Sequence, residues 1–119
     1  MAIQVVNQKH LRGRGLAVEY VGRWHREFGY ESPLKNDWSH MPGAKAAHLV
    51  GSREEAVECY RRWLWGVIKE ASGAAYEELL RLAELAKRGD LTLCCWCWPQ
   101  GCHATVIANA IEWLNNRKA

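Results

Sequence analysis

Two amphipathic segments of helical length, one after the other and bracketed by short apolar runs, set the tightest limit on how this chain folds. Ser52-Arg-Glu-Glu55 forms a capping box, in which the serine hydroxyl and the glutamate carboxylate satisfy free amides at a helix start. Ala56, Val57, Tyr60, Trp63, Leu64, Val67 and Ile68 then recur at helical spacing and predict a stripe that faces a core. Trp65 falls off that stripe, which points to a surface or an interface. A second helix is predicted over residues 74–88 with Tyr76, Leu79, Leu80, Ala83 and Ala86 inward and Gly89 as its C-cap. Residues 3–7 and 17–22 read as strands upstream, and residues 91–96 as a third strand downstream. A last helix covers residues 103–116, with Val106, Ile107, Ala110, Ile111 and Leu114 on one face. Interleaved strands and helices predict a small α/β fold: one Rossmann-like layered domain over residues 1–119, with a short, partly parallel sheet and about three helices.

A chain of 119 residues is long enough to bury one core without disulfides. No run approaches the roughly 18–20 apolar residues that span a bilayer. The opening residues lack the charged start and apolar run of a signal peptide. The expectation is therefore a cytoplasmic protein (in the host cytoplasm if phage-encoded) with no membrane partner. In a reducing compartment, clustered cysteines are ligands, reactive thiols or packing rather than disulfides. The net charge of +3 does not by itself announce a nucleic-acid binder. It is unevenly placed, however: residues 1–35 carry Lys9, Arg12, Arg14, Arg23, Arg26 and Lys35 against Glu19, Glu27 and Glu31. Residues 23–51 show no clean period, and so long a connection in a small domain is commonly functional.

Four of the five cysteines fall within nine residues: Cys94, Cys95, Cys97 and Cys102, the last followed by His103. Here a predicted strand stops at Pro99, turns at Gly101 and enters a helix. Alternation puts Cys95 and Cys97 on one face of that strand and Cys94, Trp96 and Trp98 on the other. At the helix start, free amides and the dipole favour negative charge, depress thiol pKa values and bind phosphate or carboxylate. Three readings stay open. Cys95, Cys97, Cys102 and His103 have the ligand types and number for zinc, although their spacing is tighter than that of common zinc sites. Cys102 is alternatively a reactive thiol beside His103. The third reading is packing of cysteines as small hydrophobes, which is preferred for Cys94 and Cys59. Upstream, Arg12 and Arg14 flank glycines in a turn that admits a phosphate-cradle reading as well as that of a solvated connection. Arg23 leaves a strand end and is a candidate for the same crevice.

Four segments resemble a bacterial and phage domain-of-unknown-function family, number 4326. Val5-Val-Asn7 resembles its opening strand, Tyr20-Val-Gly-Arg23 its aromatic–aliphatic–Gly-Arg element, and residues 52–64 its first long helix. Cys95-Trp-Cys-Trp-Pro-Gln-Gly-Cys-His103 is similar to its C-W-C-x-P-x-x-C-H signature. Residues 32–38 depart from the family's Gly-Asn-Pro-Phe element and keep only Asn36, and Cys94 lies outside the signature. The resemblance implies a compact α/β fold and a shared pocket near Asn7, Arg23, Asn36, Cys95, Cys97, Cys102 and His103. It implies no activity.

Two functional expectations follow. In the first, the protein binds a nucleotide-like small molecule or other nucleic-acid-derived anion. Arg23, with Arg12, and the Cys102 helix start hold the anionic group, and Asn7 and Asn36 read polar edges. Cys95 and Cys97 line the pocket, and Cys102 or His103 is available as a catalytic group if the ligand is processed. In the second, the chain is a non-enzymatic module with a structural zinc or a tryptophan-rich core, meeting protein or nucleic acid through Trp65, Trp38 or its basic N-terminal half.

Overall fold

A computed structural model describes residues 3–7, 17–22, 31–39, 48–95 and 103–116, with the backbone alone at residues 6, 7, 17, 18 and 95. In chain order the elements are β1 (Ile3–Asn7), β2 (Ala17–Tyr20), β3 (Trp38–Ser39), β4 (His48–Leu49), α1 (Arg53–Glu70), α2 (Ala74–Arg88), β5 (Leu91–Cys95) and α3 (His103–Asn116). The last strand in sequence takes the centre of a three-stranded sheet of order β1-β5-β2. β1 pairs with it in parallel from Ile3 beside Leu91 to Asn7 beside Cys95. β2 pairs with it in parallel from Ala17 beside Leu91 to Tyr20 beside Cys94. The mixed α/β architecture is therefore as expected, and the described three-stranded sheet is parallel throughout. A parallel return needs a long crossover, which α1 and α2 supply between β2 and β5.

A central parallel strand is covered on both faces, and the near-continuous apolar run Leu-Thr-Leu-Cys suits that place. Leu91, Thr92, Leu93 and Cys94 are all fully buried. Leu91 and Leu93 join the core with Tyr60, Leu64, Leu79, Leu82, Ile107 and Ile111 from the three helices. Thr92 and Cys94 alternate onto the opposite face.

The helices begin and end close to the predicted places. Ser52 Oγ accepts the Glu55 amide at 3.1 Å, while the Glu55 carboxylate reaches back one residue further than a reciprocal box requires, accepting the Gly51 amide at 3.2 Å. α1 ends on Ala71 in the left-handed region, φ 55°, where a Cβ is unfavourable. Gly89 does cap α2, but in extended backbone that any residue adopts. The inward face of α2 needs one correction. Leu82 is buried with Leu79, Ala83 and Ala86, whereas Leu80 lies 38% exposed. One step along a helix turns a side chain by about 100°, which carries residue 80 to the edge of a face centred on 79, 82, 83 and 86. β3 and β4 form a separate parallel pair, Trp38 beside His48 and Ser39 beside Leu49, in a region that sequence periodicity left unstructured. Among the described residues no helix is long and apolar enough to cross a membrane.

Among the described residues Thr92 Oγ1 is buried with no hydrogen-bond partner, so its hydroxyl carries a desolvation cost. Thr92→Val is expected to leave urea stability unchanged or raise it by about 1 kcal/mol. A clear loss would reveal a partner for the hydroxyl. Burial, with Glu19 adding to it, pushes the Cys94 thiol up to about 11. The folded value lies above the unfolded one. The stability from keeping this thiol protonated is therefore whole below about pH 9 and lost as pH rises to about 11. Across that window the urea midpoint of the natural chain should fall further than that of Cys94→Ala. Equal falls would mean that Cys94 ionises freely in the folded protein.

Candidate functional site

The carboxyl ends of the three parallel strands lie side by side. Asn7 and Cys95, the last residues of β1 and β5, are register partners there. Beyond β2 the ladder continues, with the Val21 amide donating to the Cys94 carbonyl at 3.2 Å. Gly22 follows, and the reason for a glycine is close approach: a Cβ would sit 2.6 Å from Cζ of the buried Tyr20 ring. This accounts physically for the Tyr20-Val-Gly22 element. A side chain at residue 22 would force the phenol out of a packed position.

His103, the first residue of α3, is buried and returns to this strand end. Its Nε2 lies 2.6 Å from the Val21 carbonyl oxygen. A carbonyl only accepts, so Nε2 carries the proton, and in the neutral ring Nδ1 carries the lone pair. The imidazole meets the edge of Tyr60 at 5.1 Å between ring centres and 74° between planes. Tyr60, fully buried on α1, donates its hydroxyl to the Leu34 carbonyl at 2.6 Å, and burial raises its pKa well above the usual tyrosine value. The segment before Leu34 is held in turn: the Ser32 amide donates to the Gly22 carbonyl at 3.0 Å, and Ser32 Oγ accepts the Leu34 amide at 3.0 Å. Residues 21, 22, 32, 34, 60 and 103 thus close a ring of contacts that joins the β2 exit, the following loop, α1 and the start of α3.

Asn36 lies on that loop, half-buried, and its Oδ1 accepts the Trp38 amide at 2.9 Å, turning the chain into β3. Lys35 beside it sits between Glu31 at 3.7 Å and Asp37 at 3.8 Å. Trp38 stacks on His48 at 5.4 Å and 25°. Trp65, read from sequence as a surface or interface residue, is half-buried and packs edge-on against Trp113 at 5.1 Å. Of the two cysteines read as packing, Cys94 is buried, and Cys59 is half-buried on α1. Arg12, Arg23, Cys97 and Cys102 lie outside the described residues, and for Asn7 and Cys95 the description extends to the backbone. The fold therefore brings Asn7, Cys95 and His103 to one end of the sheet and seats Asn36 on the loop tied to it. Sequence reading did not single out Tyr60, Val21, Ser32 or Leu34. Tyr60 carried a signal, since a phenol within a buried stripe needs a hydroxyl partner. The Val21 and Leu34 carbonyls carried none.

Tyr60→Phe is expected to cost about 1–2 kcal/mol, because it strands a buried carbonyl. His103→Ala should cost more, about 3 kcal/mol, by adding a cavity to the lost bond. Urea denaturation followed by far-UV circular dichroism checks both. An unchanged midpoint for His103→Ala would mean that the imidazole does not hold the strand end.

No curated protein and no solved structure matches the chain. A family model described as a domain of unknown function (DUF4326) matches residues 3–113. That span is nearly the whole sequence, and the chain belongs to this family.

Proposed function

We propose that this member of the DUF4326 family binds a nucleotide or another nucleic-acid-derived anion at the carboxyl end of its parallel sheet. The observation behind the reading is convergence: the Asn7–Cys95 register pair, the β2 exit at Val21-Gly22 and the α3 start at His103 share that end. Ligands of open parallel sheets sit just beyond the carboxyl ends of the strands. A helix start there adds free amides and the positive end of a dipole. In this reading Arg23, next in sequence after Gly22, and Arg12 supply charge to the anionic group. Asn7 and Asn36 read polar edges, Cys95 and Cys97 line the pocket, and Cys102 is the thiol available for chemistry if the ligand is processed. His103 sets where the helix starts. Reduced thiols suit a bacterial or phage-infected cytoplasm.

One observation favours a second reading. Metal-bound histidines commonly donate the other ring N–H to a backbone carbonyl, which fixes the tautomer. The Nε2 contact of His103 with the Val21 carbonyl is of that kind. Cys95, Cys97, Cys102 and His103 would then hold a structural zinc in an interaction module.

Calorimetric titration with purine and pyrimidine nucleotides and short oligonucleotides tests the first reading. Arg23→Ala is expected to abolish binding. Unaltered affinity in that variant, or no binding to any of these ligands by the natural chain, would sink the proposal. Elemental mass spectrometry on protein purified without chelator addresses the second: about one zinc per chain with protected thiols would support it, and metal-free folded protein would remove it.

A further inference from the structure

Tyr60 is fully buried, so its side chain cannot itself touch a ligand at the carboxyl end of the sheet. Two of its contacts nevertheless reach residues that frame that end. Its ring packs against His103 at the start of α3, and its hydroxyl donates to the Leu34 carbonyl, 26 positions away in sequence. The second contact acts on the loop that carries Asn36.

The turn at Leu34 takes its shape from short-range bonds. Ser32 Oγ accepts the Leu34 amide, and the Ser32 carbonyl accepts the Lys35 amide, both at 3.0 Å. Such bonds set the form of a turn but not its place on the molecule. Its place is set by links to other elements. The Ser32 amide is tied to the Gly22 carbonyl, the buried Leu34 is tied through its carbonyl to Tyr60, and Trp38 packs against the core. Asn36 stands midway between Leu34 and Trp38, with its Oδ1 turned back to the Trp38 amide. The Tyr60 hydroxyl therefore anchors the backbone two residues upstream of Asn36.

We propose that Tyr60 is a positioning residue for ligand recognition: through the Leu34 carbonyl its hydroxyl presets Asn36 for the nucleotide. This role rests on the reading above, in which Asn36 meets a polar edge of the ligand. Its physical basis is preorganisation. A loop ordered before the ligand arrives spares the ordering cost that binding would otherwise carry. Phenylalanine at this position keeps the ring against His103 and removes the hydroxyl alone, so the two contacts can be separated.

The test is a double-mutant cycle, read by calorimetric titration with the four ribonucleoside triphosphates. Melting curves on the same samples show that each variant is folded. Tyr60→Phe and Asn36→Ala should each weaken binding about tenfold, and the double variant should bind no worse than either alone. Should Tyr60→Phe fail to fold, Ser32→Ala takes its place with the same expectation, since it removes the other side-chain bond to Leu34. A tyrosine with a purely structural task would shift the melting curve and leave the affinity alone. Unchanged affinity in Tyr60→Phe or in Asn36→Ala overturns the proposal, while the sheet-end reading survives because the natural chain still binds. A multiplicative loss of about a hundredfold in the double variant also overturns it, because Tyr60 would then act independently of Asn36. No binding by the natural chain, or full binding by Arg23→Ala, overturns the sheet-end reading and this role with it.

Discussion

The hydrogen bond from His103 Nε2–H to the Val21 carbonyl joins positions 82 residues apart and fixes the geometry of the sheet's carboxyl end. A single neutral hydrogen bond contributes only about 1 kcal/mol net, but a buried carbonyl left without a donor costs about 1–3 kcal/mol. The asymmetry is compounded here because the imidazole also packs on Tyr60, whose hydroxyl serves the Leu34 carbonyl, while Ser32 serves Gly22. Loss of one member leaves another buried group unpaired or unsupported. The ring of contacts therefore acts as one element, as polar networks in a low-dielectric interior do. What it holds together is the exit of β2, the loop carrying Asn36, the middle of α1 and the first turn of α3.

This arrangement requires β5 to stand at the centre. Both of its neighbours come from the N-terminal part of the chain, and β5 can join them only after the α1–α2 crossover has been made. Its apolar run meets the demand of a central strand for burial on both faces. The same demand explains why Cys94 is buried although it adjoins the cysteine cluster. The thiol occupies a position where a small hydrophobe fits, and burial holds it protonated.

Legibility in the sequence followed the physics of each element. The helices were readable because a 3.6-residue period, a capping serine and their breakpoints are all written in side chains. The ends of α3 follow its 3.6-residue period, and β1 ends at Asn7 where its short apolar run gives out. β3 and β4 were not readable: two residues are too few for alternation, and their pairing depends on backbone bonds such as His48 N–H to the Asp37 carbonyl. Leu80 was misplaced because a helix edge lies within one residue step of its face. At the candidate site, Asn7, Cys95 and His103 could be gathered from motif and strand ends, and the fold does bring them to one end. The partners that set His103 in place could not be found this way. A backbone carbonyl is present at every residue, and only the fold decides which one meets the imidazole.

That placement also bears on what a histidine beside a cysteine is doing. To reach a ligand with Nε2, the ring would have to leave the Val21 carbonyl and turn out of its contact with Tyr60, breaking the element that holds the strand end. The imidazole is thus committed to structure at one nitrogen, where it holds the start of α3 against the end of β2. Cys102 comes directly before that start, and Arg23 directly after the strand end to which His103 is bonded. The bond fixes the backbone from which each of these two departs. A histidine in this position has a structural task of its own, the bond that ties the start of α3 to the end of β2, and that accounts for a buried ring directly after the cysteine cluster.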